Sequence, residues 1–161
     1  MDNDFNELLS LFDRCGVRYL IVGGYAVIFH AQPRGTKDLD LFIEPERKNA
    51  EAVFHALALF GAPLGDFTVE DFQDASSVYQ IGQPPLRIDL IKSLEGITFQ
   101  QAWESRIQVT EDGIPVNYIS REDLITNKLA TGRLQDLADV QSVRDAAKAD
   151  PFNPDSTDKT Q

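Results

Sequence analysis

Residues 38–43 read Asp-Leu-Asp-Leu-Phe-Ile, and no other stretch constrains this chain more tightly. Polar and apolar residues alternating with period two mark a strand with one buried face. Asp38 and Asp40 then project on one side, with Leu39, Leu41 and Ile43 on the other. Aspartate is depleted in strands, and two carboxylates held side by side repel unless a cation or a proton lies between them. A solvent-facing strand can carry such a pair without function. Hard oxygen donors in this arrangement also suit Mg²⁺, which takes a few carboxylates and completes its shell with phosphate oxygens.

The segments around this strand alternate between helix and strand. Phe5, Leu8, Leu9 and Phe12 recur at helical spacing, which predicts a helix over 4–15 stopped by Gly16. Residues 18–22 read as a strand, Gly23-Gly24 break it, and residues 25–31 read as a buried helix. After Pro45, Ala50, Val53, Phe54, Leu57 and Phe60 line one face of a helix over 47–60. Residues 61–74 are rich in turn formers. Strands are predicted over 77–81 and 86–91, joined by Gly82-Gln83-Pro84-Pro85, and a short helix over 99–106. Glu111-Asp112-Gly113 between 107–110 and 115–119 predicts a hairpin. Ser120 with Asp123 resembles a capping box and opens a helix through Thr131. Gly132 interrupts, and a last helix runs over 134–149. The expected fold is α/β (α+β): one domain over 1–150, a mixed β-sheet with helices packed on it and C-terminal helices. Residues 151–161 read as a disordered tail.

Composition narrows the function. A chain of 161 residues supports one hydrophobic core. The net charge of −11 argues against extended DNA binding, yet leaves room for a local basic pocket that takes a nucleotide or one nucleic-acid end. No apolar run reaches the roughly 18 residues that span a bilayer. Cys15 is the only cysteine, so no intrachain disulfide forms. The acidic start, Met1-Asp2-Asn3-Asp4, lacks the basic opening of a secretory signal, and the expected location is cytoplasmic.

Two further features bear on Asp38 and Asp40. Gly23-Gly24 lie between a strand and a helix, where backbone can approach a ligand closely and helix N–H groups favour an anion such as a triphosphate. A tight turn without a ligand would look the same. Asp89 interrupts the apolar run Leu86-Arg87-Ile88-Asp89-Leu90-Ile91. A carboxylate there is costly unless it is metal-bound or paired, for instance with Arg87 or Lys92. If this strand lies beside 38–43, three carboxylates converge in the layout of two-metal catalysis at phosphorus.

Gly-Gly, thirteen intervening residues, Asp-Leu-Asp and a later Asp in an apolar strand resemble the polymerase-beta-type nucleotidyltransferase superfamily. The string Gly23-Gly24-Tyr25-Ala26-Val27-Ile28-Phe29-His30 with Arg34, Thr36 and Asp38-Leu39-Asp40 is similar to its small bacterial branch. That branch includes the abortive-infection (AbiEii-like) toxin nucleotidyltransferases. The likeness extends to Ser120-Arg121-Glu122-Asp123-Leu124-Ile125 with Lys128, Arg133, Asp136 and Asp139, so it covers residues 18–143. It implies transfer of a nucleoside monophosphate from a triphosphate to an acceptor hydroxyl, with release of pyrophosphate. Gly23 and Gly24 would cradle the phosphates, with Arg34 and Thr36 alongside. Asp38 and Asp40 would bind two Mg²⁺ ions, for which Mn²⁺ can substitute. Asp89 would be the third metal ligand and help deprotonate the acceptor, and Lys128 would contact the triphosphate. Gly24 departs from the serine many members carry, which removes one hydroxyl contact.

The acceptor stays open among a tRNA end, a protein hydroxyl and a small hydroxylated molecule. A non-catalytic, antitoxin-like or partner-binding module on the same fold is the alternative. Several residues have plainer readings. Arg34 can be a solvated loop arginine, Lys128 an exposed helical lysine, and Arg133 with Asp136 a pair along a helix. His30 and His55 lack metal-ligand neighbours at helical spacing. Trp103 and Cys15 read as packing residues.

Overall fold

The computed structural model describes residues 1–31, 35–36, 38–83, 86–150 and 152. Helices α1 (Asn3–Arg14), α2 (Gly23–His30) and α3 (Arg47–Phe60) alternate with strands β1 (Tyr19–Val22) and β2 (Asp38–Ile43). A 3₁₀ turn (Val69–Phe72) precedes β3 (Val78–Gln83) and β4 (Leu86–Ile91). Then come α4 (Phe99–Glu104), β5 (Ile107–Glu111), β6 (Ile114–Tyr118), α5 (Arg121–Thr131) and α6 (Leu134–Ala149). Among the described residues, the six strands form a single sheet in the order β3-β4-β2-β1-β6-β5. β2 pairs parallel with β4, and β1 parallel with β6, while β1–β2, β3–β4 and β5–β6 are antiparallel. The mixed sheet and the C-terminal helices match the expected fold class. The expected tail over 151–161 lies outside the described residues, apart from Phe152.

Strand parity divides the core into two layers. Leu39, Leu41 and Ile43 of β2 join Ile88 and Leu90 of β4 on one face, under the apolar stripes of α1 and α3. Phe42 faces the other way, packing on Phe99 of α4 with ring centroids 5.1 Å apart. Leu20, Val22, Ala26, Val27, Leu124 and Val143 complete that second layer. Asp38 and Asp40 have the parity of Phe42, and Asp89 that of Ile91. All three carboxylates therefore lie on the side that α2, α4, α5 and α6 cover.

Local chemistry sets the element ends. Asp2 caps α1 by accepting from the Asp4 amide at 2.8 Å. Buried Asn49 at the start of α3 ties the far ends of β1 and β2 together. Its amide donates to the carbonyls of Glu44 and Arg18, and its oxygen accepts from the Arg18 amide. Ser120 caps α5 through the Asp123 amide at 3.2 Å. The expected box forms only in half, because the Asp123 carboxylate accepts from Ser105 instead. Among the described residues, no helix is long and apolar enough to cross a membrane.

Candidate active site

Parallel pairing of β2 with β4 brings the strand carboxylates together. In register, Asp38 lies opposite Arg87 and Asp40 opposite Asp89. Burial first, and then the neighbouring charges of Asp89 and Asp38, push the Asp40 carboxyl up to about 6. Burial also raises Asp89, partly offset by Arg87. Asp40 lies within hydrogen-bonding reach of Asp89. The pair therefore holds a proton well above the ordinary carboxylate range, or takes up a cation.

Arg87 supplies one cation. Its guanidinium donates from Nη2 to Asp38 at 3.0 Å and to Asp89 at 3.2 Å. Its Nε lies 3.1 Å from Asp89 Oδ1. Neither of those last two atoms makes a hydrogen bond, although both are buried. Of the two partners suggested by sequence for Asp89, Arg87 is the one that reaches it. Lys92 turns to the opposite side of the strand and donates to the Asp71 carbonyl and the Ser77 hydroxyl.

The glycine turn abuts the same carboxylates. Gly23 has φ +64°, and a Cβ there would fall 2.2 Å from Asp40 Oδ2. Glycine at 23 is thus required twice, by its left-handed backbone and by the close approach of Asp40. Gly24 is buried in the first turn of α2. Gly23, Gly24, Thr36 and Asp40 line one wall of a cleft of about 470 Å³, and Lys128, Thr131 and Arg133 line another. Thr36 Oγ1 lies 3.5 Å from the carbonyl of Asp38. Arg34 lies outside the described residues.

Lys128 differs from the plain reading of an exposed helical lysine. It is buried, and its ammonium donates to Asp136 at 3.2 Å and Asp139 at 3.0 Å. Both carboxylates are buried on α6. Burial pushes Asp136 up, but hydrogen bonds from Arg133, Thr131 and Lys128 outweigh it and hold the carboxyl well below its usual range. The expected Arg133–Asp136 pair forms at 2.8 Å. Lys128 thus faces the cleft as the centre of an ion network that clamps α5 to α6. Helical periodicity gave no sign of this, because the partners lie across the Gly132 turn.

His30 makes a structural contact, its Nε2 lying 2.7 Å from the Ile119 carbonyl, and burial lowers its pKa. Trp103 stacks on Phe99 and carries the Arg106 guanidinium 3.7 Å above its ring, as a packing residue would. Cys15 packs against the α1–α3 core layer.

A divalent cation fits part of this arrangement. The donors are hard oxygens, Asp89 Oδ1 is buried without a hydrogen bond, and Asp40 is raised by burial and then by its acidic neighbours. Among the described residues, no three His, Cys, Asp or Glu side chains already converge as a metal cage. The third corner, Asp38, is turned to Arg87.

This sheet, with its C-terminal helices, is the nucleotidyltransferase fold. It matches the lincosamide antibiotic adenylyltransferase LnuA, solved with lincomycin bound, at a TM-score of 0.58 and 14% identity over 91% of this chain and 98% of that one. It matches ANT(2")-Ia in complex with adenylyl-2"-tobramycin at 0.57 and 19%, over 90% and 86% of the two chains. An antigenic nucleotidyltransferase-like protein from Paracoccidioides brasiliensis matches at 0.51 and 17%, over 92% and 79%. Residues 1–150 match the family described as "Nucleotidyltransferase of unknown function (DUF6036)", and the chain belongs to it. No curated protein matches the chain.

Proposed function

We propose that the chain transfers a nucleoside monophosphate from a nucleoside triphosphate to an acceptor hydroxyl, with residues 1–150 acting as one catalytic unit. The observation that carries this reading is the register of Asp40 against Asp89, with Asp38 beside them and Gly23 packed on Asp40. Asp38, Asp40 and Asp89 would hold Mg²⁺, two ions for the full reaction. Bound there, the ions would neutralise charge on the attacking and leaving oxygens. Gly23 and Gly24 open α2 toward the cleft, where backbone N–H groups receive phosphate oxygens, with Thr36 on the same wall; the family resemblance adds Arg34 as a phosphate contact. Asp89 accepts the proton of the acceptor hydroxyl. The acceptor oxygen bonds to the α-phosphorus, the bond to the bridging oxygen breaks, and pyrophosphate leaves. Lys128 borders the triphosphate path while anchored to α6, so its contribution is to position the wall and its field.

A small hydroxylated molecule is the acceptor class best supported. Two structural neighbours were solved with lincomycin and with adenylyl-tobramycin, and a net charge of −11 opposes a large nucleic-acid surface. The resemblance to AbiEii-like toxins, and with it a toxin–antitoxin role, would instead make the acceptor a tRNA end, and a protein hydroxyl is the third class. Arg87 on Asp38 and Asp89 favours one other reading, a non-catalytic partner-binding module whose carboxylates are permanently paired. The test incubates the protein with α-labelled nucleoside triphosphates, Mg²⁺ and panels of each acceptor class. Label transfer that Asp40→Asn and Asp89→Asn each abolish supports nucleotidyl transfer. Transfer unchanged by either variant removes these residues from the chemistry.

A further inference from the structure

Arg87 is placed unlike an ordinary structural arginine. It lies on β4 two residues before Asp89, on the same face, and opposite Asp38 on β2. One guanidinium thus bridges two of the three carboxylates, the position a shared cation would take. The bridge is imperfect, since Nε and Asp89 Oδ1 sit 3.1 Å apart without hydrogen-bond geometry. The side chain remains 31% exposed, so it has a path to solvent. On its other flank β4 pairs with β3, where the residue opposite Arg87 is Gly82. Gly82 therefore has no side chain with which to prop the arginine against the carboxylates.

We propose that Arg87 is a displaceable counter-cation. It neutralises Asp38 and Asp89 in the ion-free site, and a divalent cation must push it aside to bind. This rests on the nucleotidyl-transfer reading of the three carboxylates. Losing charge-assisted hydrogen bonds to two carboxylates opposes metal binding, and each 1.4 kcal/mol of opposition is tenfold in affinity. The displaced guanidinium is then available to an anion in the cleft, such as a phosphate of the nucleotide.

The test titrates Mn²⁺ into the full chain without nucleotide and follows free Mn²⁺ by electron paramagnetic resonance. Wild type is compared with Arg87→Gln and Arg87→Lys. Arg87→Gln binds Mn²⁺ roughly tenfold more tightly than wild type, and Arg87→Lys falls between, because an ammonium cannot fork across two carboxylates. Arg87→Gln binding no more tightly than wild type overturns the proposal and makes Arg87 a strut that aligns the carboxylates. If thermal melting shows Arg87→Gln unfolded, Arg87→Lys decides the matter: tighter binding than wild type supports displacement, and equal or weaker binding overturns it. If neither wild type nor any folded variant binds Mn²⁺, the metal reading itself fails along with this inference. If wild type binds and the variants are no tighter, only the inference falls.

Discussion

Asp40 of β2 and Asp89 of β4 stand opposite each other in parallel register, and Gly23 presses its backbone against the Asp40 carboxylate. Two acids and a turn, far apart in sequence, become one unit. Folding brings these charges together at a cost, and the unit gains by taking up a proton, an arginine or a metal ion.

The pH dependence of stability follows from Asp40. Its pKa rises from 3.8 to about 6 on folding, so the native state holds the proton more tightly than the unfolded chain. That stabilisation is fully present below the unfolded value and is lost as pH rises through the folded one. The metal-free protein therefore gains stability from this group between about pH 7.5 and about pH 5. Asp40→Asn should raise the stability of the metal-free protein at about pH 7.5 by about 1–3 kcal/mol and flatten the dependence. Melting curves in a chelator at the two pH values check both, with the wild-type-minus-variant difference reporting the Asp40–Asp89 pair.

Gly23→Ala and Gly16→Ala separate backbone strain from contact. Both glycines have positive φ, +64° and +70°, but only Gly23 has Asp40 where its Cβ would go. Gly16→Ala should cost roughly 1–2 kcal/mol, the left-handed penalty alone. Gly23→Ala should cost about 2–4 kcal/mol and also weaken metal and nucleotide binding, because the carboxylate must move. Denaturant melts and nucleotide titrations of the two variants give the comparison.

Much of this was legible in sequence where the signal was local. Helix 47–60 and strand 38–43 ended where Pro45, the apolar spacing and the turn-rich stretch from residue 61 said they would. Parity alone put Asp38 and Asp40 on one face. Neighbourhood was not legible. That three carboxylates converge was implied by the resemblance, but the parallel register of β2 on β4 that pairs Asp40 with Asp89 is a non-local choice that neither it nor spacing supplied. The Arg87 bridge was visible only as one of two options for Asp89, since the Asp38 contact needs that register. Lys128 was the hardest case, because its burial depends on α6 folding back past Gly132.

The ion network around Lys128 predicts a stability effect independent of chemistry. Lys128→Met removes the cation shared by buried Asp136 and Asp139 and should destabilise by about 3–5 kcal/mol. Lys128→Met combined with Asp139→Asn should recover part of that loss, since the ammonium and one of the carboxylates facing it are then neutralised together. Urea unfolding of the single and double variants measures the coupling. Additive losses would show that Lys128 does not pair with Asp139 in solution.

We propose that Asp38, Asp40 and Asp89 form a metal site serving a nucleotide held over Gly23 and Gly24. Calorimetric titration of nucleoside triphosphate, with and without Mg²⁺, tests it without knowledge of the acceptor. Wild type should bind at least about tenfold more tightly with Mg²⁺, and Asp40→Asn should lose that gain. Binding that ignores Mg²⁺, or an Asp40→Asn variant that keeps the full Mg²⁺ effect, would contradict the account.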